Sequence, residues 1–352
     1  MTKTYLGIDL HKRISSWVLI SENREVLYKQ TVKCTPDKIA KAIDKLPLSD
    51  TDSCECTLEP VCGWRWVREQ LIEAGFNTHT ANPLKTKLIA SSRMKYDSID
   101  AQTLAELTRA DFLPESYVAP NDVMELRALI RERVYLVHTR SGLKIRLKSL
   151  VDARGYHELR DTCLQKSKQG LLKSIGDEEI NRLLSLIESM DKHIAPLDSA
   201  IQKFARKSEL AKLIMTIPAI GPISATTIIA EVGDFSRFKS AKQLASYAGL
   251  VPSQRSSAGI AKHGRITKQG SKYLRTTFVE CAMRIRDKES DAPLYDFYQR
   301  VRKASSPMKA RVALARKLAT LVWYIATTNK VYNPLHSKDS MNRNDSVLFS
   351  GA

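Results

Sequence analysis

The sequence lacks an uninterrupted apolar run of membrane-spanning character. Its longest uncharged stretch, Leu213 to Ala230, carries Pro218, Gly221, Pro222 and four Ser/Thr residues, and so reads as a broken pair of soluble helices. Met1 to Tyr5 leads straight into a strand-like segment, with no apolar stretch of signal-peptide type. A cytoplasmic protein without a membrane partner is the expectation. None of the six cysteines (Cys34, Cys54, Cys56, Cys62, Cys163, Cys281) forms a C-x-x-C pair. No second pair of ligands has zinc spacing, which leaves reduced thiols, with Cys54 and Cys56 on one face of a strand. A P-loop is missing: Gly264 and Gly270 are separated by five residues, and Ser271-Lys272 come in the reverse order. A G-x-S-x-G elbow is missing as well, because Arg255 stands two before Ser257. There is no tandem repeat.

Negative charge is the scarcer sign. The 352 residues include 56 Lys+Arg against 38 Asp+Glu, a net charge of +18. Such an excess favours a polyanionic partner, nucleic acid or an acidic membrane surface. Hydrophobic residues make up 43%, which supports a folded protein over a basic disordered tail. The length is enough for two or three domains with cores of their own. One stretch, Arg255 to Arg275, holds the adjacent serines Ser256 and Ser257, three glycines, six Lys/Arg and no acidic residue. A basic surface attracts phosphate, and glycines let the backbone come close to a ligand. A serine hydroxyl there could attack phosphorus or simply hydrogen-bond a phosphate oxygen. A basic, solvated turn is the plainer reading of the same residues.

Along the chain, the spacing predicts strands at Tyr5 to Leu10, Ser16 to Ser21, Val26 to Val32, Cys54 to Glu59 and Asn77 to Ala81. Helical spacing appears at Pro36 to Leu46, Trp64 to Ala74 and Ser98 to Ala110. Strands alternating with helices after three opening strands indicate an α/β domain. Residues 122–204 change character: Asp122 to Val151 and Ile180 to Phe204 are rich in Leu and charged residues at helical spacing, with a polar turn region, Gly155 to Gly170, between them. They read as a helical hairpin or coiled-coil arm, for dimerisation or for gripping nucleic acid, or as a plain helical subdomain. Ile217 to Pro222 looks like a helix–hairpin–helix turn, flanked by helices at Ile223 to Val232 and Ala241 to Tyr247. Such turns point backbone N–H groups at a phosphate without reading bases. Tyr273 to Ile285 and Arg311 to Thr327 are further amphipathic helices, and the chain after Val331 is a polar tail.

Four carboxylates stand out by position. Asp9 ends the first strand and Glu59 a later one. Asp97 and Asp100, in K-Y-D-S-I-D-A, open a helix at i, i+3 and so share part of one face. Strand ends and a helix start are where an α/β sheet gathers ligands. Four carboxylates meeting there would repel one another unless Mg²⁺ or Mn²⁺ neutralised them. A pair of such ions can stabilise both oxygens of a phosphodiester displacement. Each carboxylate alone reads more simply as a cap, but their order fits a ribonuclease-H-like nuclease core. The G-I-D opening is similar to that of actin-like sugar kinases. Leu10-His11-Lys12 lacks the glycine such a phosphate loop needs, and no glycine-rich adenosine motif follows.

Taken together, Y-L-G-I-D-L-H-K, L-E-P-V-C-G-W, A-N-P, K-Y-D-S-I-D-A-Q-T-L-A-E-L, I-P-A-I-G-P-I-S-A, Y-A-G-L-V-P and H-G-R-I-T-K-Q-G resemble the DEDD-type insertion-sequence transposases of the IS-one-ten group. The likeness runs in the family's order over roughly residues 5 to 330. It implies an α/β ribonuclease-H-like (RuvC-like) DEDD domain over 1–121 and a helical coiled-coil region over 122–204. A mainly α transposase domain with the helix–hairpin–helix-like element would follow over 205–330, and then the tail 331–352. It implies a recombinase that excises and inserts its element, with Asp9, Glu59, Asp97 and Asp100 as Mg²⁺ ligands. A C-terminal serine would form a phosphoserine link to DNA, and a structured bridge RNA would pair with target and donor DNA. The implied assembly is a dimer or tetramer. The serine motif here reads Arg255-Ser256-Ser257-Ala258-Gly259, with alanine where a glycine usually follows. Ser257 is the expected nucleophile, with Ser256 the alternative. Arg255, Lys262, Arg265, Lys268, Lys272 and Arg275 are expected to hold nucleic-acid backbone, each reading equally as part of a solvated face. Two rival readings are a metal-dependent nuclease of the Holliday-junction-resolvase kind and a non-catalytic nucleic-acid-binding protein.

Overall fold

A computed structural model describes residues 3–48, 50–61, 63–89, 97–257 and 260–334; at 97–99, 254–257 and 260–263 it describes the backbone alone. Cys62, Ala258, Gly259 and residues 335–352 of the expected tail lie outside the described residues. The chain divides after Val118 into two compact units.

The first unit is built on a five-stranded sheet of order β3-β2-β1-β4-β5. β1 (Thr4–Leu10), β2 (Ile14–Ser21) and β3 (Val26–Lys33) form an antiparallel meander. The helix α1 (Pro36–Ile43) then leads to β4 (Cys54–Leu58), and α2 (Trp64–Glu73) to β5 (Asn77–Thr80); β4 runs parallel to β1, and β5 parallel to β4. Two further helices, α3 (Pro83–Ile89) and α4 (Asp97–Arg109), complete the unit. This mixed α/β sheet is compatible with a ribonuclease-H-like domain. α3 follows directly on the strand expected at Asn77 to Ala81 and has no counterpart among the expected helices. Pro83 stands at the helix start, where its missing N–H costs nothing.

β1 is central, and its residues alternate between two buried faces. Leu6, Ile8 and Leu10 pack in one cluster with Ile39 and Ala42 of α1 and Val67 and Leu71 of α2. Tyr5 packs on the other face with Val18, Ile20, and Ala101 and Ala105 of α4. Gly7 lies in this second row, and a Cβ there would overlap the carbonyl of Ala101. α4 therefore sits flat on β1 only because residue 7 has no side chain. Gly7→Ala is expected to destabilise the protein by about 1–3 kcal/mol or more, the range for overpacking a tight contact. A lowered urea midpoint measures it; an unchanged midpoint would refute the close approach of α4.

The second unit opens with α5 (Asn121–Ala153), a helix of 33 residues. A 3-10 turn at His157–Leu159 and α6 (Lys166–Ser174) lead to α7 (Glu178–Lys207), of 30 residues. Arg133 pairs with Asp198, Arg140 with Asp191, Arg146 with Glu179 and Arg154 with Asp177. Residue numbers rise on α5 as they fall on α7, so the two helices pair antiparallel. Ion pairs that are partly or largely open to water, as these are, set register more than stability. Apolar contacts hold the far end, where Leu147, Leu150 and Val151 meet Leu172, Ile180, Leu184 and Ile187. Ile130 and Ile201 meet Ala230 at the near end. Asp177 caps α7 by accepting from the N–H groups of Glu179 and Ile180.

The rest of the unit is a helical core. α8 (Glu209–Ile214) turns through 217–222 into α9 (Pro222–Val232), then come α10 (Ala241–Tyr247), α11 (Lys272–Arg284), α12 (Ala292–Ala304) and α13 (Pro307–Thr328). α9 is buried on every side from Ser224 to Val232. Between α10 and α11 stand two antiparallel strands, β6 (Pro252–Ser257) and β7 (Ile260–Ile266). Composition alone indicates a basic turn here; the residues form a hairpin. No helix among the described residues is long and apolar enough to cross a membrane.

Candidate active site and nucleic-acid interface

The sheet brings Asp9 and Glu59 to one edge. Ile8 is level with Leu58 across the parallel β1–β4 ladder, and the Glu59 N–H donates to the Ile8 carbonyl at 3.4 Å. The next residues, Asp9 and Glu59, thus stand side by side where the β1–β4 ladder ends, with Asp9 still paired to Ser16 of β2. Alternation puts both on the face covered by α4: Gly7 touches Ala101, and the Thr57 and Thr108 hydroxyls are 2.6 Å apart. Asp9 is only 4% exposed. Asp100 adjoins Ala101 in α4, and Asp97 opens the same helix one turn earlier. The Asp97 side chain lies outside the described residues.

Electrostatics tie these groups together. Burial raises the pKa of the Glu59 carboxyl, the charge of Asp100 raises it further, and His11 partly offsets both. His11 Nε2 lies 3.2 Å from Asp9 Oδ2. His11 is a neighbour of Asp9 that is absent from the expected set, and Asp9-x-His11 is its visible signal in the sequence. The donor set is carboxylate oxygen, which suits Mg²⁺ or Mn²⁺. A cation there would relieve the like-charge repulsion that raises Glu59. Among the described residues, no three acidic, His or Cys side chains stand close enough to cage an ion by themselves. Asp9, Glu59 and Asp100 thus supply oxygen donors of the kind such an ion takes, without forming a closed cage.

The basic stretch is organised by the hairpin. Arg255 is opposite Lys262 in the ladder, Ser256 opposite Ala261 and Ser257 opposite Ile260. The side chains of Arg255, Ser256, Ser257, Lys262 and His263 lie outside the described residues. The hairpin root is tied to the core by backbone bonds. Thr267 N–H donates to Val251 O at 2.9 Å, and Ser271 N–H to Tyr247 O at 3.2 Å. Gly270, at φ 101°, makes the turn where a Cβ would strike the Tyr247 carbonyl. Arg265, Lys268 and Lys272 are exposed, as a phosphate contact requires. Arg275 is half-buried, and its Nη1 donates to Lys268 O at 3.1 Å and Ala248 O at 3.4 Å. It braces the root of the hairpin.

Two family models match the chain: a DEDD transposase of the IS110 kind over residues 6–154, and the transposase IS116/IS110/IS902 family over residues 211–299. The chain belongs to the IS110 family of DEDD transposases. It is 25% identical over 349 residues to a probable family 20 transposase of Pseudomonas aeruginosa, covering 95% of this chain and 100% of that one. It is 27% identical over 345 residues to the transposase for insertion sequence element IS1111A of Coxiella burnetii, covering 93% and 90%. A pilin gene-inverting protein of Moraxella bovis is 26% identical over 345 residues, covering 95% and 98%.

A second charged cluster of the transposase lies on the edge strand β5. His79 bridges Glu55 and Glu115, with Nε2 and Nδ1 each 2.7 Å from a carboxylate oxygen. Glu115 also pairs with Ala81 as a lone β-bridge, so the clamp fastens the segment around 115 to the sheet. Burial lowers the His79 pKa, but the hydrogen bonds and charges of both carboxylates outweigh it and the net shift is upward. The bridge therefore adds stability in full below the ordinary histidine pKa of about 6.5 and loses it as pH rises through the raised folded value. The wild-type advantage over His79→Gln in urea midpoint is expected to shrink from about pH 6 to pH 9; an advantage that grows with pH would refute the bridge.

Proposed function

We propose that the transposase cuts and rejoins the DNA of its element through a covalent phosphoserine intermediate, with Asp9, Glu59, Asp97 and Asp100 holding Mg²⁺ or Mn²⁺. The observation that carries this reading is the placement of Asp9 beside Glu59 at the ends of adjacent parallel strands, with Asp100 near enough to raise the Glu59 carboxyl. When bound, divalent ions would stabilise charge on the phosphate and its leaving oxygen. The chain's own residues do the rest. Lys262, Arg265, Lys268, Lys272 and Arg255 hold nucleic-acid backbone, with Arg275 supporting them. Serine Oγ forms a bond to phosphorus as the bond to one sugar oxygen breaks; the serine proton is lost and the sugar oxygen gains one. The ester keeps the bond energy, so a DNA hydroxyl can reverse the step without ATP. Strand alternation puts Ser257 in phase with Arg255 and with Lys262 across the ladder, and Ser256 out of phase. That favours Ser257 as nucleophile.

In this reading residues 1–121 are a RuvC-like domain, 122–204 a coiled-coil region and 205–330 the serine-bearing transposase domain, with the turn at 217–222 as a helix–hairpin–helix-like phosphate contact. A bridge RNA supplies sequence choice by pairing, and the protein reads backbone and shape. Dimers or tetramers let one chain lend its serine to another's carboxylates. The test is incubation with Mg²⁺, element-end DNA and the RNA encoded beside the element. A denaturation-resistant protein–DNA adduct mapped to one serine is expected. Cleavage without an adduct would favour the resolvase-like reading, in which water attacks and the serines only bind phosphate. Absence of any cleavage would favour a non-catalytic binding protein.

A further inference from the structure

We infer that Glu231 is a positioning residue that locks the root of the serine-bearing hairpin to the long helix pair. The inference rests on the reading of that hairpin given above. Glu231 closes α9 with only 1% of its surface exposed. A buried carboxylate is costly unless every oxygen is paired, and here each one is. Arg131 of α5 donates from Nε to Oε1 at 2.8 Å and from Nη2 to Oε2 at 3.1 Å. Ser271 Oγ donates to Oε2 at 2.9 Å. The same turn of α9 is held from both sides: Arg127 donates to the carbonyls of Ala230 and Glu231 at 3.0 and 3.3 Å, and the Tyr247 hydroxyl to that of Glu231 at 3.4 Å.

Burying an ion pair is a poor way to gain stability, because apolar residues of the same volume do as well or better. What the pair does supply is a fixed geometry among three elements. Ser271 does two jobs: it donates to Glu231, and its oxygen caps α11 by accepting from the Leu274 N–H at 3.3 Å. Its own N–H is bonded to Tyr247 O, on the strand-entry side. The hairpin thus leaves and re-enters the core over a base whose exit side is fixed by Glu231. Through Arg131, that base is joined to a helix that extends for about 50 Å at 1.5 Å per residue. Only a carboxylate can accept the Arg131 fork and the Ser271 hydroxyl together.

Three variants test this in the full-length protein: Glu231→Gln, Arg131→Lys, which keeps the charge but loses the fork, and Ser271→Ala, with Ser271→Thr as the rescue. Each of the first three is expected to speed amide exchange across 253–257 and 260–266 by about ten-fold or more, the worth of one hydrogen bond to a charged group, while exchange in α13 stays as in the wild type. Adduct formation in a single turnover should slow by a similar factor with DNA affinity held within about two-fold, and Ser271→Thr should restore both. Wild-type exchange at the hairpin in Glu231→Gln and Ser271→Ala would overturn the inference. So would faster exchange everywhere, since that marks a merely structural group. A wild-type protein that forms no adduct would count against the proposed chemistry alone, because the exchange measurement needs no DNA.

Discussion

Asp9→Asn is expected to lower Mg²⁺-dependent strand cleavage by about 10³-fold or more, the scale on which removal of a preorganised electrostatic group acts. Stability without metal should not fall with it. Asparagine has the shape of aspartate and keeps one oxygen at the end of β1, where Asp9 stands opposite Ser16. It removes one negative charge from a buried neighbourhood in which Glu59 is already raised by burial and by Asp100. The ion pair with His11 goes too, but its histidine side is 47% exposed, and water screens the charge there. Two readouts therefore separate. Without metal, the melting temperature of the variant should match or exceed that of the wild type. Adding Mg²⁺ should raise the wild-type melting temperature and raise the variant's far less, since a ligand stabilises only the state that binds it. Equal stabilisation of both by Mg²⁺, or cleavage at the wild-type rate, would remove Asp9 from the site.

That Asp9 and Glu59 come to neighbouring strand ends could be read from the sequence because strands announce their ends. Asp9 closes an apolar run, Glu59 stands before Pro60, and Asp97 and Asp100 precede the apolar stripe of α4. How closely the groups meet could not be read, because it depends on register. The level pairing of Ile8 with Leu58 is set by the pleat of two strands more than forty residues apart in sequence, and the descent of α4 onto β1 depends on one missing Cβ at Gly7. The hairpin escaped the sequence reading for a different reason. P-S-Q-R-S-S and I-A-K-H-G-R-I carry little of the β-branched and aromatic alternation that marks a strand, and pairing across the ladder supplies what propensity does not. The helix α12 was passed over because Asp291, its cap, reads as one more charge in a polar stretch. Glu231 is the extreme case. Inside the apolar run Ile223 to Val232 a single glutamate looks like the solvent-facing turn of a helix. Only Arg131 and Ser271, distant in sequence, make its burial tolerable. Residues whose role is to join elements are hard to see one element at a time.

Ser257→Ala is expected to abolish the covalent protein–DNA adduct, a loss of about 10³-fold or more, whereas Ser256→Ala should keep it. The two serines are neighbours in β6, and strand alternation separates them. Ser257 shares its phase with Arg255 and, opposite, Lys262, while Ser256 is level with Ala261. A hydroxyl that attacks phosphorus must stand among the groups that hold the phosphate, so on the proposed reading phase favours Ser257. Fold is not at stake in either substitution, because the hairpin is held by its backbone ladder and by the root bonds from Thr267 and Ser271. Melting temperature and DNA affinity should therefore stay close to the wild type in both. Serine is a weak nucleophile at its ordinary pKa, and the cationic hairpin does not remove its proton; the adduct should accordingly disappear also from Asp9→Asn with Ser257 intact. Three results then stand together: no adduct without Ser257, no adduct without Asp9, and an adduct without Ser256. Adduct surviving in Ser257→Ala and lost in Ser256→Ala would move the nucleophile by one residue and show that strand phase does not select it. Mg²⁺-dependent cleavage persisting when both serines are alanine would mean that water attacks and that the hairpin only grips the backbone.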